Sequence, residues 1–231
     1  MAESRERVSH GATTYRCVAS TADKTVLLLD MFGVIITEGH LVSNRLSKLF
    51  PDVSLTEQRE AYYAYEKDEI SRSEFWARIG GVGSVKEHER LFFSGLKIDE
   101  GFYEVVEFVA SVLRLAVLSN MPSDWKEPIL DMGIGPYLEE CFVSGDERLA
   151  KPRPEFFRIA CARLNVDPER VVFVDDNHEN LAIAHELGMT TVWVDRANVG
   201  SATVGSEADY RVEHLGQMRP VLESILDTVR S

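Results

Sequence analysis

The chain has 231 residues, enough to bury a substantial core as one domain or as one domain with an insertion. Its composition, 45% hydrophobic and 27% charged residues, is ordinary for a globular protein and argues against a disordered chain. A formal net charge of -13, with no dense cluster of Lys and Arg, argues against nucleic-acid and membrane partners.

The first segment along the chain is polar. Residues 1–24 contain no apolar core of signal-peptide length, and we expect them to be flexible. No later stretch approaches the roughly 18 uninterrupted apolar residues of a membrane span. The cysteines Cys17, Cys141 and Cys161 are odd in number and lack C-x-x-C spacing, which indicates reduced thiols. These features together predict a cytoplasmic protein.

Short apolar runs that end in small or acidic residues recur along the chain. The runs are 25–30, 115–120, 141–146, 171–176 and 190–195. Such runs are typical of strands that are buried on both faces. The helix-like segments between and after them are 102–112, 123–132, 154–164 and 178–187. This alternation predicts an α/β fold with a parallel sheet flanked by helices, closed by a short strand and a helix within 209–229.

The long interval between the first run and the second has a different pattern. It contains the helix-like stretches 41–50, 56–69 and 72–80, and no obvious strand. An insertion that follows the first strand is expected to lie over the carboxyl ends of the strands as a lid. Its aromatic residues are predicted to pack within the insertion, with one or two of them lining a substrate pocket: Tyr62, Tyr63, Tyr65 and Trp76.

Acidic side chains end two of the apolar runs. Asp30 ends the first run, and the pair Asp175 and Asp176 ends the fourth. A single Asp after a strand is often a turn residue or a helix cap, but capping explains two adjacent acids poorly. Adjacent carboxylates repel each other unless a cation or a proton intervenes. A Mg²⁺ ion between Asp30 and this pair is therefore a physical explanation of the pattern.

Two further segments carry polar residues that could bind an anion. Ser119 and Asn120 end the second run, where they either offer small donors or form an ordinary polar turn. Lys151 precedes Pro152 in the stretch LAKPRPEFF, where it is either exposed to solvent or placed beside an anion. Because ligands collect beyond the carboxyl ends of parallel strands, these residues and the acids are expected to face one crevice.

The order of these four segments resembles the haloacid dehalogenase-like (HAD) hydrolase superfamily from about residue 25 to residue 195. The resemblance implies a Rossmann-like core, residues 25–37 and 101–231, with a small helical cap at residues 38–100. It places the family's nucleophile on Asp30. It places the remaining catalytic and phosphate-binding roles on Ser119, Asn120 and Lys151.

The same resemblance implies a bound Mg²⁺ ion. The protein ligands would be Asp30, the backbone carbonyl of Phe32 and the acidic pair Asp175 and Asp176, with Asp176 touching the ion directly. Phe32 departs from the pattern, because phosphatases of the superfamily commonly carry Asp there to protonate the leaving oxygen. Such a general acid contributes roughly 10²–10⁴-fold in rate, and a phenyl ring cannot replace it. Three consequences are open: the substrate has a leaving group that needs little help, such as an anomeric sugar or an acyl group; water or a residue of the cap supplies the proton; or phosphatase activity is weak or absent.

Three functions follow from these observations. The expected one is a Mg²⁺-dependent phosphatase that forms an aspartyl phosphate on Asp30 and acts on a small phosphorylated metabolite such as a sugar phosphate. The small sugar-phosphate phosphatases and the phosphatase half of soluble epoxide hydrolases look closest to this chain. One alternative is a 2-haloacid dehalogenase-like hydrolase, a group that carries Tyr at the position of Phe32 but lacks the acidic pair. The other is a phosphometabolite-binding protein that has lost turnover.

Overall fold

The computed structural model describes residues 25–110, 112–196 and 208–229. The predictions for residues 1–24 and for Cys17 lie outside this part of the chain. Within it, the strands are β1 (Val26–Leu29), β2 (Arg114–Ser119), β3 (Glu140–Val143), β4 (Val171–Asp175), β5 (Thr190–Val194) and β6 (Tyr210–Val212). They form one parallel sheet in the order β3-β2-β1-β4-β5-β6. The predicted parallel sheet is therefore confirmed.

The register of the central strands determines where the site lies. The last residue of β1, Leu29, is the Cα partner of Val117 in β2 and of Val174 in β4. The carboxyl ends of the three strands therefore lie side by side. Asp30, Ser119 and Asp175 consequently stand at the same edge of the sheet.

The segment between β1 and β2 is helical, and residues 38–100 are called the helical insert below. A π-helical turn (Val42–Leu46) runs directly into α1 (Ser47–Leu49), and α2 (Leu55–Tyr65), α3 (Arg72–Arg78) and α4 (Val85–Phe93) follow. A capping box of Ser54 and Glu57 begins α2. The sequence predictions did not include α4.

Helices cover both faces of the sheet. They are α5 (Phe102–Val109), α6 (Ser123–Ile129), α7 (Ser144–Glu147), α8 (Pro154–Leu164), α9 (His178–Glu186) and α10 (Met218–Val229). Alternate residues of β1 enter opposite cores, with Leu27 and Leu29 on the face of the insert and Val26 and Leu28 on the other. The predicted burial of the strands on both faces is thus confirmed.

Several predicted boundaries are wrong. The helical segments 56–69 and 102–112 end early, at Tyr65 and Val109. The run 141–146 is not all strand, because β3 ends at Val143 and α7 begins at Ser144. Val143 is the partner of Ser119, the last residue of β2, so the edge strand has nothing to pair with beyond that point. The helix predicted for 123–132 ends at Ile129 and continues as a π-helical turn, in which Gly133 has φ 106°.

The remaining sequence predictions about the chain's surroundings concern thiols and membranes. Cys141 and Cys161 are buried and free, as predicted. Among the described residues, no helix combines the length and hydrophobicity that a membrane span requires.

Candidate active site

Asp30 occupies the first position after the central strand. Its backbone N–H donates to the Val174 carbonyl at 2.9 Å, which extends the pairing of β1 with β4 by one residue. Its Oδ1 accepts the N–H of Met31 at 2.7 Å. The residue is only 8% exposed, so its carboxylate is fixed at the floor of a crevice.

Two more carboxylates converge on Asp30. Ligand oxygens of Asp30, Asp175 and Asp176 all lie within 4.8 Å of one another. Asp175 is fully buried, and Asn180 donates to both of its oxygens, at 3.0 and 3.1 Å. The N–H of Asn177 donates to Asp175 Oδ1 at 2.8 Å. These bonds hold Asp175 in place, whereas Asp176 is partly exposed.

Lys151 is the cation of this group. Its Nζ lies 2.9 Å from Asp30 Oδ1 and 2.6 Å from Asp175 Oδ2, and the side chain is almost completely buried. The backbone of Lys151 is bonded twice to the side chain of Asn120, through the Lys151 carbonyl at 2.9 Å and the Lys151 N–H at 2.8 Å. The side chain of Asn120 thus positions Lys151, through its Oδ1 and one N–H of its Nδ2.

The electrostatics of the group follow from burial and crowding. Burial raises the pKa of Asp30 to about 6, with Lys151 opposing and Asp175 adding to the rise. Burial, together with Asp175 and Asp30, raises the pKa of Asp176 to about 8. Burial alone would lower the pKa of Lys151, but Asp175 and Asp30 outweigh it and raise that pKa. One ammonium group therefore does not compensate three carboxylates, and the site favours an additional positive charge.

Ser119 has an unusual environment at the end of β2. It is 1% exposed, and no group in the described part of the chain forms a hydrogen bond with its hydroxyl. Buried hydroxyl groups normally have a partner. Because Ser119 lines the same cavity as Asp30 and Lys151, a ligand in that cavity would supply one.

Phe32 lines the cavity as well. Its ring is buried and meets Trp125 edge-on, with ring centroids 6.4 Å apart. Phe32 and Ile36 form an isolated β-bridge. In it the Gly33 N–H donates to the Ile36 carbonyl, and the Ile36 N–H donates to the Met31 carbonyl. The carbonyl of Phe32 takes part in neither bond, and no donor to it occurs in residues 25–110, 112–196 or 208–229. It is thus free to bind a ligand.

Sequence reasoning missed the residues that shape the surroundings of Asp176. A Cβ on Gly33 would lie 2.1 Å from Asp176 Oδ2, and one on Gly39 would lie 2.5 Å from the same atom. Arg196 holds the loop that follows β1, because its guanidinium donates to the carbonyls of Gly33 at 2.7 Å and Val34 at 2.5 Å. A sequence shows a glycine in such a loop but not which side chain approaches it.

The cavity above these residues has a volume of about 910 Å³, which is within the range of small-molecule sites. The helical insert provides part of its wall, including Tyr62 and Tyr63. The prediction that one or two aromatic residues of the insert line a pocket is thus confirmed. Glu66 also lines the cavity, and nothing in the sequence distinguishes it from the charged residues that follow it.

A family model covers most of this structure. The model of haloacid dehalogenase-like hydrolases matches residues 24–188. The chain belongs to the haloacid dehalogenase-like hydrolase family. This membership confirms the resemblance found in the four sequence segments, and the matched region contains every residue of the site described above except Arg196.

Individual HAD relatives include both phosphatases and dehalogenases. The chain is 34% identical over 123 residues to the phosphoserine phosphatase of Thermus thermophilus, an alignment that covers 51% of this chain and 49% of that protein. It is 28% identical over 109 residues to (S)-2-haloacid dehalogenase 4A of Burkholderia cepacia, covering 47% of each. The chain therefore aligns with about half the length of these curated relatives.

The fold is also found in solved HAD structures. A family enzyme from Bacteroides thetaiotaomicron, in complex with magnesium and inorganic phosphate, superposes with a TM-score of 0.62 at 24% identity. The superposition covers 73% of this chain and 92% of that chain. At this level of identity the likeness shows the shared fold, and the Rossmann-like α/β prediction is confirmed.

Proposed function

We propose that this protein is a Mg²⁺-dependent phosphatase of a small phosphorylated metabolite, such as a sugar phosphate, and that it works in the cytoplasm. The observation that carries the proposal is the convergence of Asp30, Asp175 and Asp176 within 4.8 Å around a single lysine. A metal-free hydrolase of this family would leave that negative charge uncompensated. A metal-dependent phosphatase needs these carboxylates to hold its ion.

The residues present fit a Mg²⁺ ion. Carboxylate and carbonyl oxygens are the ligands that Mg²⁺ prefers. Asp30, Asp176 and the free carbonyl of Phe32 would hold the ion, and the ion would neutralise charge on the nucleophile and on a phosphoryl oxygen. Asp175 was predicted as a further ligand. Both of its oxygens already accept hydrogen bonds, so its proposed role is to orient Lys151.

The remaining residues suit in-line attack on phosphorus. The Asp30 carboxylate would form the bond to phosphorus, giving an aspartyl phosphate that water then hydrolyses. Lys151 would pair with a phosphoryl oxygen, and the Ser119 hydroxyl would donate to another and gain the partner that it lacks. Of the predicted phosphate ligands, Asn120 would contribute through its backbone, while its side chain holds Lys151.

The helical insert would act as the cap of this site. Tyr62 Oη donates to the Asn120 carbonyl at 3.0 Å, and Tyr65 Oη donates to Asp124 Oδ2 at 3.0 Å. These bonds fasten the end of α2 to the loop after β2 and to the first turn of α6. The cap would therefore exclude water from the crevice and limit substrates to small molecules.

The second candidate is a dehalogenase-like hydrolase that forms an ester between Asp30 and carbon. The observation that favours it is the aromatic ring of Phe32 in the cavity wall, which would suit an apolar substituent. The acidic group disfavours it, since an uncharged carbon–halogen bond needs no metal. A phosphate-binding protein without turnover remains the third candidate.

One set of assays separates these candidates. Phosphate release is measured from a panel of small phosphomonoesters with Mg²⁺ and after treatment with EDTA, and halide release is measured from 2-haloacids under the same conditions. The proposal expects phosphate release that EDTA abolishes and Mg²⁺ restores. Halide release without metal would establish the dehalogenase instead. Binding of inorganic phosphate with no turnover of any panel member would establish the binding protein.

Replacing Ser119 by alanine is expected to lower activity without lowering stability. The hydroxyl lacks a partner in the free protein, so its removal leaves the free energy of unfolding unchanged or slightly higher. With substrate bound, one charge-assisted hydrogen bond is lost, which lowers kcat/KM by roughly 10²-fold. Denaturant unfolding and steady-state kinetics measure the two effects.

Ser144 provides the matched comparison for Ser119. It is equally buried, but its hydroxyl donates to the Glu66 carbonyl at 2.6 Å and accepts the Met121 N–H at 2.9 Å. Ser144→Ala is therefore expected to lower the free energy of unfolding by about 1–3 kcal/mol. Equal destabilisation by the two substitutions would contradict the assignment of Ser119 to substrate binding.

Replacing Gly33 by alanine is expected to weaken Mg²⁺ binding. The added Cβ would overlap Asp176 Oδ2, and Gly33 has a positive φ of 85° that penalises any side chain. Gly83 has φ 104° and no atom within 4 Å of an added Cβ, so Gly83→Ala carries the backbone strain alone. Both variants should lose about 1 kcal/mol or more of stability. Only Gly33→Ala should require more Mg²⁺ for half-maximal thermal stabilisation.

A further inference from the structure

Glu66 is a buried acid in the wall of the cavity. It follows α2 directly, is 4% exposed and lines the cavity that also contains Asp30 and Lys151. Its carboxyl group has no hydrogen bond and no ion pair with any residue that the structure describes. Buried carboxyl groups are normally paired, so an unpaired one that faces a cavity indicates a group reserved for a ligand.

The backbone of Glu66 is held firmly. Its carbonyl accepts the Ser144 hydroxyl at 2.6 Å, and its N–H donates to the Tyr62 carbonyl at 2.8 Å. Residues 65 and 66 follow residue 62 by three and four positions, so the three share one face of the helix end. They bond to the loop after β2, to the start of α6 and to the start of α7, respectively. The carboxyl group is therefore positioned from a rigid support.

The other acid and base groups around the cavity are less suitable proton donors. The hydroxyl of Tyr62 already donates to the Asn120 carbonyl. His40 and His178 are exposed to solvent, and Asp195 forms an ion pair with Arg211. Outside the three aspartates at the floor of the crevice, Glu66 is the buried and unpaired acid among the described residues of the cavity wall.

The protonation state of Glu66 suits a donor. Burial raises the pKa of its carboxyl group to about 8, while Lys67 and Lys151 oppose the rise and Asp30 adds to it. The group thus carries a proton at neutral pH. Once it has donated, the ammonium group of Lys151 is close enough to favour the carboxylate that results.

We propose that Glu66 protonates the leaving group of the substrate, because the phenyl ring of Phe32 cannot donate a proton. This proposal rests on the proposed phosphatase function. As Asp30 bonds to phosphorus, the bond from phosphorus to the leaving oxygen breaks, and the proton of Glu66 passes to that oxygen to release an alcohol. In the second step the Glu66 carboxylate takes a proton from water as the water oxygen bonds to phosphorus. The bond from phosphorus to Asp30 breaks, inorganic phosphate leaves and both side chains return to their starting states.

The test compares two leaving groups in the variant Glu66→Gln, which keeps the shape of the side chain but has no acidic proton. One substrate is the alkyl phosphate of the panel that the unmodified protein hydrolyses fastest, and its leaving alkoxide needs a proton. The other is p-nitrophenyl phosphate, whose leaving group departs readily as an anion. The comparison uses kcat/KM, which depends only on the steps up to formation of the aspartyl phosphate and not on its hydrolysis, a step that both substrates share. The expected loss in kcat/KM is roughly 10²–10⁴-fold with the alkyl phosphate and less than about tenfold with p-nitrophenyl phosphate.

The comparison contains its own control for folding, since both substrates meet the same variant. Glu60→Gln, at an exposed position of α2, is the matched substitution and should leave both rates unchanged. Equal losses with the two substrates, or no loss with the alkyl phosphate, would overturn the role of Glu66 and leave the phosphatase proposal standing. An unmodified protein that hydrolyses neither substrate with Mg²⁺ present would overturn both proposals.

Discussion

The variant Asp30→Asn is expected to lose phosphatase activity almost completely, with kcat lower by about 10⁴-fold or more. An amide oxygen is a poor nucleophile, and no other side chain at the crevice floor can take over. Asp175 is held by four hydrogen bonds, Asp176 would be occupied as a ligand of the Mg²⁺ ion, and Lys151 carries a positive charge. Phosphate release measures the loss. Mass spectrometry after acid quenching should detect a phosphoryl adduct on the unmodified protein and none on the variant.

The variant Asp30→Asn should keep its stability although it loses activity. The substitution removes one of three crowded carboxylates, and burial already raises the pKa of Asp30 to about 6. The free energy of unfolding is therefore expected to stay the same or rise. Asp131→Asn, at an exposed position after α6, is the matched change and should alter neither quantity. Substantial phosphate release by Asp30→Asn would show that the nucleophile lies elsewhere.

The variant Lys151→Met is expected to lose both stability and activity. The ammonium group is the ion-pair partner of Asp30 and Asp175 in a buried site, and methionine fills its volume without its charge. Removing one partner of a buried ion pair leaves the other charge uncompensated, which typically costs about 3–5 kcal/mol. Chemical denaturation at neutral pH measures this loss. Activity should fall as well, because no side chain then pairs with the phosphoryl oxygen.

Lys126 supplies the matched control for this large effect. It pairs with Asp146 at 3.1 Å near the surface, where an ion pair contributes about 0–1 kcal/mol. Lys126→Met should therefore change stability little. Added Mg²⁺ should raise the thermal midpoint of Lys151→Met more than that of the unmodified protein, since the ion would supply the missing positive charge. Similar stability losses in the two variants would contradict the central position of Lys151.

Much of the fold could be predicted from the sequence because its signals are local. Residues such as 171–174 are apolar throughout, and a strand covered on both faces by helices requires that composition. The helix 154–164 was predicted with the bounds that α8 has. The errors arose where tertiary pairing decides. Residues 144–146 leave the sheet because β2 ends at Ser119, a fact that no local pattern contains.

The principal site residues could also be predicted from the sequence. In a parallel sheet, the residues that follow neighbouring strands meet at one edge, so the ends of the runs identify the crevice. Asp30, Ser119 and Asp175 meet there in the structure. Lys151 was a candidate from its own segment, and the family resemblance assigned it a role. In the structure its Nζ reaches both Asp30 and Asp175 from a separate loop.

The roles of several residues depend on the hydrogen-bond partners of their side chains, which could not be predicted from the sequence. Asn120 looked like an anion donor, but its side chain holds the backbone of Lys151. Ser119 and Ser144 are both buried serines, yet only Ser144 has hydrogen-bond partners among the described residues. Hydrogen-bond partners come from segments distant in sequence, so they are known only when the chain has folded.

The sequence by itself determined the family and the parallel sheet, because strand composition and the order of four segments are local properties. It also predicted Asp30 as the nucleophile and, through Phe32, the lack of the usual proton donor. Only the tertiary structure identified the residue that we propose for that role. Glu66 lies among the charged residues at the end of α2, and its burial beside Asp30 and Lys151 results from the packing of the insert against the sheet edge.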